Sequence, residues 1–342
     1  MKTCFLCTGG YTGSVAQRGW PVPPELCDRE EAAKSYATAI RNCKLAEDAG
    51  FDWVSLSEHH YAPGLMTPNP VVLAGALSQA TSRVKIALLG PLVPLVNPVR
   101  TAEEIAMLDA LSGGRVVVLF LRGTPNEHHT YGGIVPAETR TITQEGVQLI
   151  RKAWTEPKPF SWESAHFNFK TVSVWPRTVQ DPHPQIFYSG NSDESAEFAG
   201  RNHLSVAIGF AGLDGVKRQV EVYRRAAREA GWEPTHDNML FRGRMIVAED
   251  DAAADAIADR IAPNMRTAAA AGTTGGAGGG DPTAGIAGIQ FVGGPDKVLA
   301  KARALYDAGV GIIDVAVIGA GMSRALETFA KKLAAPLRAI GL

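Results

Sequence analysis

Two stretches of this chain set a carboxylate beside two imidazoles. Glu58-His59-His60 follows the apolar run Trp53-Val54-Ser55-Leu56, and Glu127-His128-His129 follows a second apolar run that ends at Leu121 and Arg122. Such groups at the ends of strands can hold a metal, or can move a proton near neutral pH, where an imidazole changes charge. A metal needs ligands held rigidly, whereas adjacent loop residues rarely both reach one ion, and neither H-E-x-x-H nor H-x-H occurs. Acid/base chemistry and exposed loop residues stay open for the first triplet, the loop reading being the weaker for His59 and His60, which directly follow a buried strand. In the second triplet His128 and His129 read equally well as exposed loop residues.

An anion site is the next candidate. In "YSGNSDESAEFAG", residues 188 to 200, a strand turns through Ser189, Gly190, Asn191 and Ser192 into a helix. A small-residue turn at a helix N-terminus presents backbone N–H groups and a positive dipole end to an anion. Arg122 in "FLRGTP" would add a cation. Equally, Ser192 can be only a helix cap and Arg122 only a rim ion pair. The usual nucleotide cradles are missing: no Gly-Lys pair exists, and the Gly-rich stretch 272–280 follows no strand and lacks G-x-G-x-x-G spacing. Cys4 and Cys7 make a C-x-x-C, but on a strand side chains three apart point to opposite faces, so free thiols are expected there.

The elements that must position these residues alternate. Apolar, β-branched-rich runs recur at 3–7, 53–57, 84–90, 115–121, 185–189, 204–208, 239–247 and 312–318. Helix-period segments lie between them, such as the one that ends at Gly50 and the one that opens at Asn97-Pro98 and closes on Gly113-Gly114. Eight β/α units in 342 residues predict a closed (β/α)8 TIM barrel spanning 1–342 as one domain, with an open doubly wound sheet as the alternative. Both triplets then stand over one mouth, at the carboxyl ends of the strands. Two segments break the rhythm. Residues 156–183 carry Pro and aromatics in a hairpin-like pattern, and residues 266–288 are Ala- and Gly-rich, read as a mobile lid loop before the last β/α unit.

Composition narrows the partners. With 45% hydrophobic and 20% charged residues and a formal net charge of -1, the chain can bury a large core and lacks the basic balance that phosphate-backbone binding needs. No nucleic acid is expected. No run approaches eighteen uncharged apolar residues and the N-terminus turns polar too soon for a signal peptide, so no membrane is expected either and the cytoplasm is the default location.

The run from "AEDAGFDWVSLSEHHYAPG" through "NPVRTAEEIAMLDALSGGRVVVLFLRG", together with "FYSGNSDESAEFAGRN" and "FVGGPDKVLAKARALYDAGVGIIDVAVIG", resembles the bacterial luciferase-like family of flavin-dependent oxidoreductases. The resemblance implies a TIM-like barrel that binds reduced FMN at its carboxyl face or, in one branch, the deazaflavin F420. It implies that His59 lies near the reactive flavin carbon and acts in proton transfer while His60 shapes the pocket. On that reading the first triplet does acid/base chemistry, with Glu58 placed to orient or bias His59, and the second is substrate-side or structural. It implies that Arg122 and the turn at Gly190, Asn191 and Ser192 grip the phosphate, and that a non-proline cis peptide falls at Leu89-Gly90. The expected function is an FMNH2-dependent monooxygenase acting on a small organic molecule and supplied by a separate flavin reductase, since no nicotinamide-binding domain is visible. A homodimer is the expected assembly. An F420-dependent reductase or dehydrogenase, a non-catalytic flavin-binding protein and a metal-dependent barrel hydrolase are the rival readings.

Overall fold

The computed structural model describes residues 1–15, 20–270, 290–318 and 321–342, with the backbone alone described at 263–270 and at Gln290. In chain order the main elements are β1 (Lys2–Leu6), α1 (Arg29–Asp48), β2 (Trp53–Leu56), α2 (Pro70–Ala80), β3 (Lys85–Leu92), α3 (Pro98–Ser112), β4 (Val116–Leu121) and α4 (Thr139–Thr155). A two-stranded antiparallel hairpin follows, β5 (Phe160–Glu163) and β6 (Asn168–Val172). Then come β7 (Gln185–Ser189), α5 (Asp193–Arg201), β8 (Ser205–Gly209), α6 (Leu213–Glu229), β9 (Met239–Val247), α7 (Asp251–Ala270) and β10 (Gln290–Gly293). The last are α8 (Pro295–Asp307), β11 (Ile312–Val317), α9 (Met322–Lys332) and α10 (Ala334–Ala339).

Eight parallel strands close on themselves in the order β1-β2-β3-β4-β7-β8-β9-β11, with β11 returning to β1. These are the eight apolar runs of the sequence, and the closed ring rules out the open sheet. Being covered on both faces, they can be apolar throughout, and all four residues of β2 are buried. One set of side chains, including Trp53, Ala87, Leu89, Val117, Phe187, Leu240 and Ile312, fills the barrel, while the alternate set, including Phe5, Val54, Leu56, Leu88 and Val118, packs under the helices. A ninth strand, β10, was not foreseen: four residues bounded by glycine carry too little pattern, and they add only to the far half of β9, Arg244 to Val247.

Caps set the register of the helices that bound the mouth. Asn69 and Asn97 each accept two backbone N–H bonds ahead of a proline at the first helical position, starting α2 and α3. Gly113 ends α3 in the left-handed conformation, φ 68°. Among the described residues no helix is long and apolar enough to cross a membrane, and no group of three His, Cys, Asp or Glu is gathered to hold a metal ion. The lid expected at 266–288 lies outside the described residues, apart from the backbone of 266–270 at the end of α7.

Candidate active site at the barrel mouth

The two triplets meet, and one carboxylate crosses from the second to the first. Glu58 does not orient His59. Its Oε1 lies 3.1 Å from His60 Nε2 and its Oε2 accepts the Leu92 N–H at 3.1 Å, so Glu58 and His60 form a buried pair at the root of the loop. The carboxylate reaches sideways instead, to the backbone of β3 at Leu92. The His60 carbonyl accepts the Trp20 indole N–H at 2.8 Å, and the imidazole meets the Tyr131 ring edge-on at 5.2 Å. His60 is thereby a buried wall of the site, with its Nε2 held by Glu58.

His59 takes its partner from the second triplet. Its Nδ1 lies 2.7 Å from Glu127 Oε1, while Glu127 Oε2 accepts the Thr124 N–H at 2.7 Å. Burial pushes the Glu127 carboxyl up, but the hydrogen bond and charge attraction of His59 and the Thr124 donors outweigh it and hold the group below the ordinary carboxylate range. A carboxylate can only accept, so Nδ1 carries the proton and Nε2 is the nitrogen left over. Nε2 makes no hydrogen bond among the described residues, and the His59 side chain is 20% exposed. The His59 N–H donates to Thr67 O at 3.2 Å and the Thr67 hydroxyl donates to Ser57 O, which closes this loop on itself. Gly123, at φ 84°, turns the chain after Arg122 so that Glu127 can reach across; a Cβ there would meet Leu92 Cδ1 at 3.4 Å and Glu127 Oε2 at 3.5 Å.

Glu127 was not among the expected site residues; the repeated Glu-His-His spelling was the only signal for it. Of its neighbours, His128 is buried with Nε2 3.0 Å from Arg122 O and Nδ1 unpartnered, whereas His129 is exposed.

The bed beside the dyad differs from expectation in one bond. Leu89-Gly90 is trans; the cis peptides of the described residues all precede proline, at Trp20-Pro21, Trp175-Pro176 and Asp181-Pro182. Gly90 makes the irregularity cheaply instead. At φ 142° it lets β3 bulge between Leu89 and Leu92, and a Cβ would approach Glu58 N to 3.3 Å.

At the other side of the mouth, Gly190 donates to Ala207 O at 2.7 Å and has no room for a side chain, since a Cβ would lie 2.4 Å from Val206 Cγ2. Asn191 Oδ1 accepts the Gly209 N–H at 2.8 Å, and Ser192 caps α5 through Ser195 N. Both side chains are therefore engaged in the turn, and what it offers an anion is backbone N–H at the start of α5. Two guanidinia flank it. Arg122 is half-buried and makes no side-chain hydrogen bond or ion pair among the described residues. Arg140, which the sequence did not single out, donates to Ser195 Oγ at 3.1 Å and pairs with Glu194 at 3.3 Å. Burial pushes the Tyr188 hydroxyl up to about 12, against the pull of the nearby Arg140 and Arg122 charges. The acids of the first turn do not spoil the site outright, because Asp193 is tied outward to Arg218 and Gln219.

A closed parallel barrel with a His–Glu pair and a turn into a helix N-terminus at its carboxyl face has the arrangement of an α/β-barrel site. The model of the luciferase-like monooxygenases matches residues 14–311, and the chain belongs to that family. It is 29% identical over 189 residues to the alkanal monooxygenase alpha chain of Photorhabdus luminescens, covering 55% of this chain and 52% of that one. Against the first curated relatives the matched stretch spans only half to two thirds of their length. Solved structures align throughout. The monooxygenase RslO1 from Streptomyces bottropensis superposes with TM-score 0.80 at 27% identity over 97% of this chain and 98% of its own. The oxygenating constituent of 3,6-diketocamphane monooxygenase from Pseudomonas putida, solved with FMN, superposes with TM-score 0.77 at 22% identity over 98% of both chains.

Proposed function

We propose that this chain is a flavin-dependent monooxygenase that takes reduced FMN from a separate reductase and uses dioxygen to oxygenate a small organic substrate. The observation that carries this reading is the His59–Glu127 dyad, which leaves one imidazole nitrogen uncommitted over the barrel mouth. The residues present fit the cofactor. Gly90 and Gly123 keep the floor clear of side chains, Gly190 lets the backbone turn close to β8, and Arg122 with Arg140 supplies cations beside the α5 N-terminus for a terminal phosphate.

When bound, reduced FMN supplies the electrons that activate dioxygen. The chain's own work is different. Glu127 fixes the imidazole so that Nε2 faces the mouth and stabilises the ring when it gains a proton; His59 holds or delivers that proton; His60, Tyr131 and Trp20 pack the loop against water. Exposed Val72, Met107 and Leu111 on neighbouring α2 and α3, at 72%, 53% and 58%, give the homodimer an apolar face to bury, which light scattering would report as doubled mass.

The test is a titration of the apoprotein with FMNH2 and with reduced F420 under nitrogen, followed by one admission of oxygen. Saturable FMNH2 binding and oxygenated product support the reading. Binding of F420 alone would move the chain to the hydride-transferring branch, and bound flavin with no substrate consumed would leave a flavin carrier.

A further inference from the structure

The inner wall opposite the proposed flavin bed carries a charge arrangement that neither the dyad nor the phosphate turn uses. In the eight-strand ring β9 stands across from β3, so the inward residues of β9 face Gly90. Asp314 on β11 is fully buried and points into the barrel, where it accepts the Ser55 hydroxyl at 2.7 Å and Arg242 Nε at 2.5 Å. Cys4, paired in register with Asp314, adds no charge: burial and then the Asp314 carboxylate push its thiol well above the usual range.

Arg242 has five N–H donors, and among the described residues only Nε is used. Its Nη2 is buried without a partner among the described residues, while the side chain as a whole keeps 16% exposure. An unpaired buried donor on a fixed cation is costly unless an acceptor arrives. The wall also opens at this point. The β8 ladder on β9 ends at Gly209–Arg242, and from Arg244 onward the edge of β9 belongs to β10. Phe210 covers the gap with φ 56°, a conformation an aromatic residue rarely holds, and donates its N–H to Arg242 O at 3.0 Å. The Arg244 guanidinium lies 5.1 Å from the Phe210 ring centre, and burial draws its pKa down.

We propose that this wall is a carboxylate-binding subsite for the substrate, with Arg242 as its contact and Asp314 and Ser55 as its anchors. The subsite deepens the monooxygenase reading by naming a substrate class: an acid with an aromatic or apolar body. The planar fork of Arg242 suits two carboxylate oxygens, Arg244 adds a second positive charge to the same inward alternation of β9, and the Phe210 ring offers the body an apolar neighbour. Held there, such a substrate lies between Arg242 on β9 and the flavin bed on β3, across the barrel.

The experiment is calorimetric titration of the flavin-free protein with benzoate and with its neutral isostere benzamide. The expected result is benzoate binding at least about tenfold tighter than benzamide, a preference abolished in Arg242→Gln and retained in Arg122→Ala. Arg242→Lys keeps the charge beside Asp314 but not the fork, so it still folds if the glutamine variant does not, and its preference falls several-fold. Equal affinities in the parent protein, an unchanged preference in both Arg242 variants, or a preference lost in Arg122→Ala would overturn the proposal. Because no flavin is present, a failure of FMN to bind would defeat the cofactor reading and leave this result standing.

Discussion

Replacing Glu127 with glutamine removes a charge and almost no volume, and the structure says what that does. Glu127 accepts two hydrogen bonds, from His59 Nδ1 and Thr124 N, both at 2.7 Å. The amide oxygen can keep one of them. It cannot stabilise an imidazole that takes up a proton, because the bond becomes neutral; charge-assisted bonds are worth about 1.5–3 kcal/mol and neutral ones about 0.5–1.5, so roughly 1–1.5 kcal/mol is lost. That is about a tenfold loss in the proton-transfer step. The assay is a single turnover that follows oxygen consumed, hydrogen peroxide released and substrate oxidised, with FMNH2 affinity measured alongside. Glu127→Gln is expected to lower product per oxygen about tenfold, with the difference appearing as peroxide and flavin affinity unchanged. His59→Ala should lose roughly a hundredfold, the scale of a missing acid/base group. A nitrogen-15 correlation spectrum of the imidazole should show the Nδ1–H tautomer in the parent protein and a mixture in Glu127→Gln. Coupling within twofold of the parent in both variants would refute the dyad.

Two further outcomes follow from other carboxylate and guanidinium contacts. Arg122→Ala should weaken FMN by about 1.5–3 kcal/mol and riboflavin much less, since riboflavin has no phosphate; equal losses in a fluorescence titration would remove Arg122 from the phosphate site. Glu47, 1% exposed, accepts the N–H groups of Ser82, Arg83 and Val84 at 2.9, 2.6 and 3.1 Å. Burial opposes its ionisation, yet those bonds bring its pKa down to about 2. A pKa depressed on folding contributes stability that is complete above the unfolded value near 4.5 and lost as pH falls toward 2, so Glu47→Gln should cost roughly 2–3 kcal/mol in urea denaturation at pH 7 and much less at pH 3.

The barrel was legible because parallel strands buried on both faces cannot hide: Val116 to Phe120 and Trp53 to Leu56 are apolar or small at every position, and capped helices of the Asn-Pro type separate them. Placing both triplets over one mouth followed from that alone. What sequence could not supply was which carboxylate meets which imidazole. His59 is next to Glu58 and 68 residues from Glu127, so the pairing is decided by the direction in which β2 releases its chain and by the Gly123 turn after β4. A helix or strand period carries no information about such loops. The same limit hid Arg140, whose reach to Ser195 spans 55 residues, and Asp314, which lies 72 residues from Arg242 along the chain.

Leu89-Gly90 shows the opposite case, in which a family resemblance supplied a bond that this chain does not need. A cis peptide costs a few kcal/mol, and a glycine at φ 142° bulges the strand with a trans bond at far less cost. The irregularity falls at a residue without a Cβ, so the floor there is shaped by backbone. The Gly90 floor and the Arg242 wall then bound the cavity from opposite strands, one without a side chain and one with a fixed cation. A bound molecule would have its flat apolar part against the first and its charge against the second.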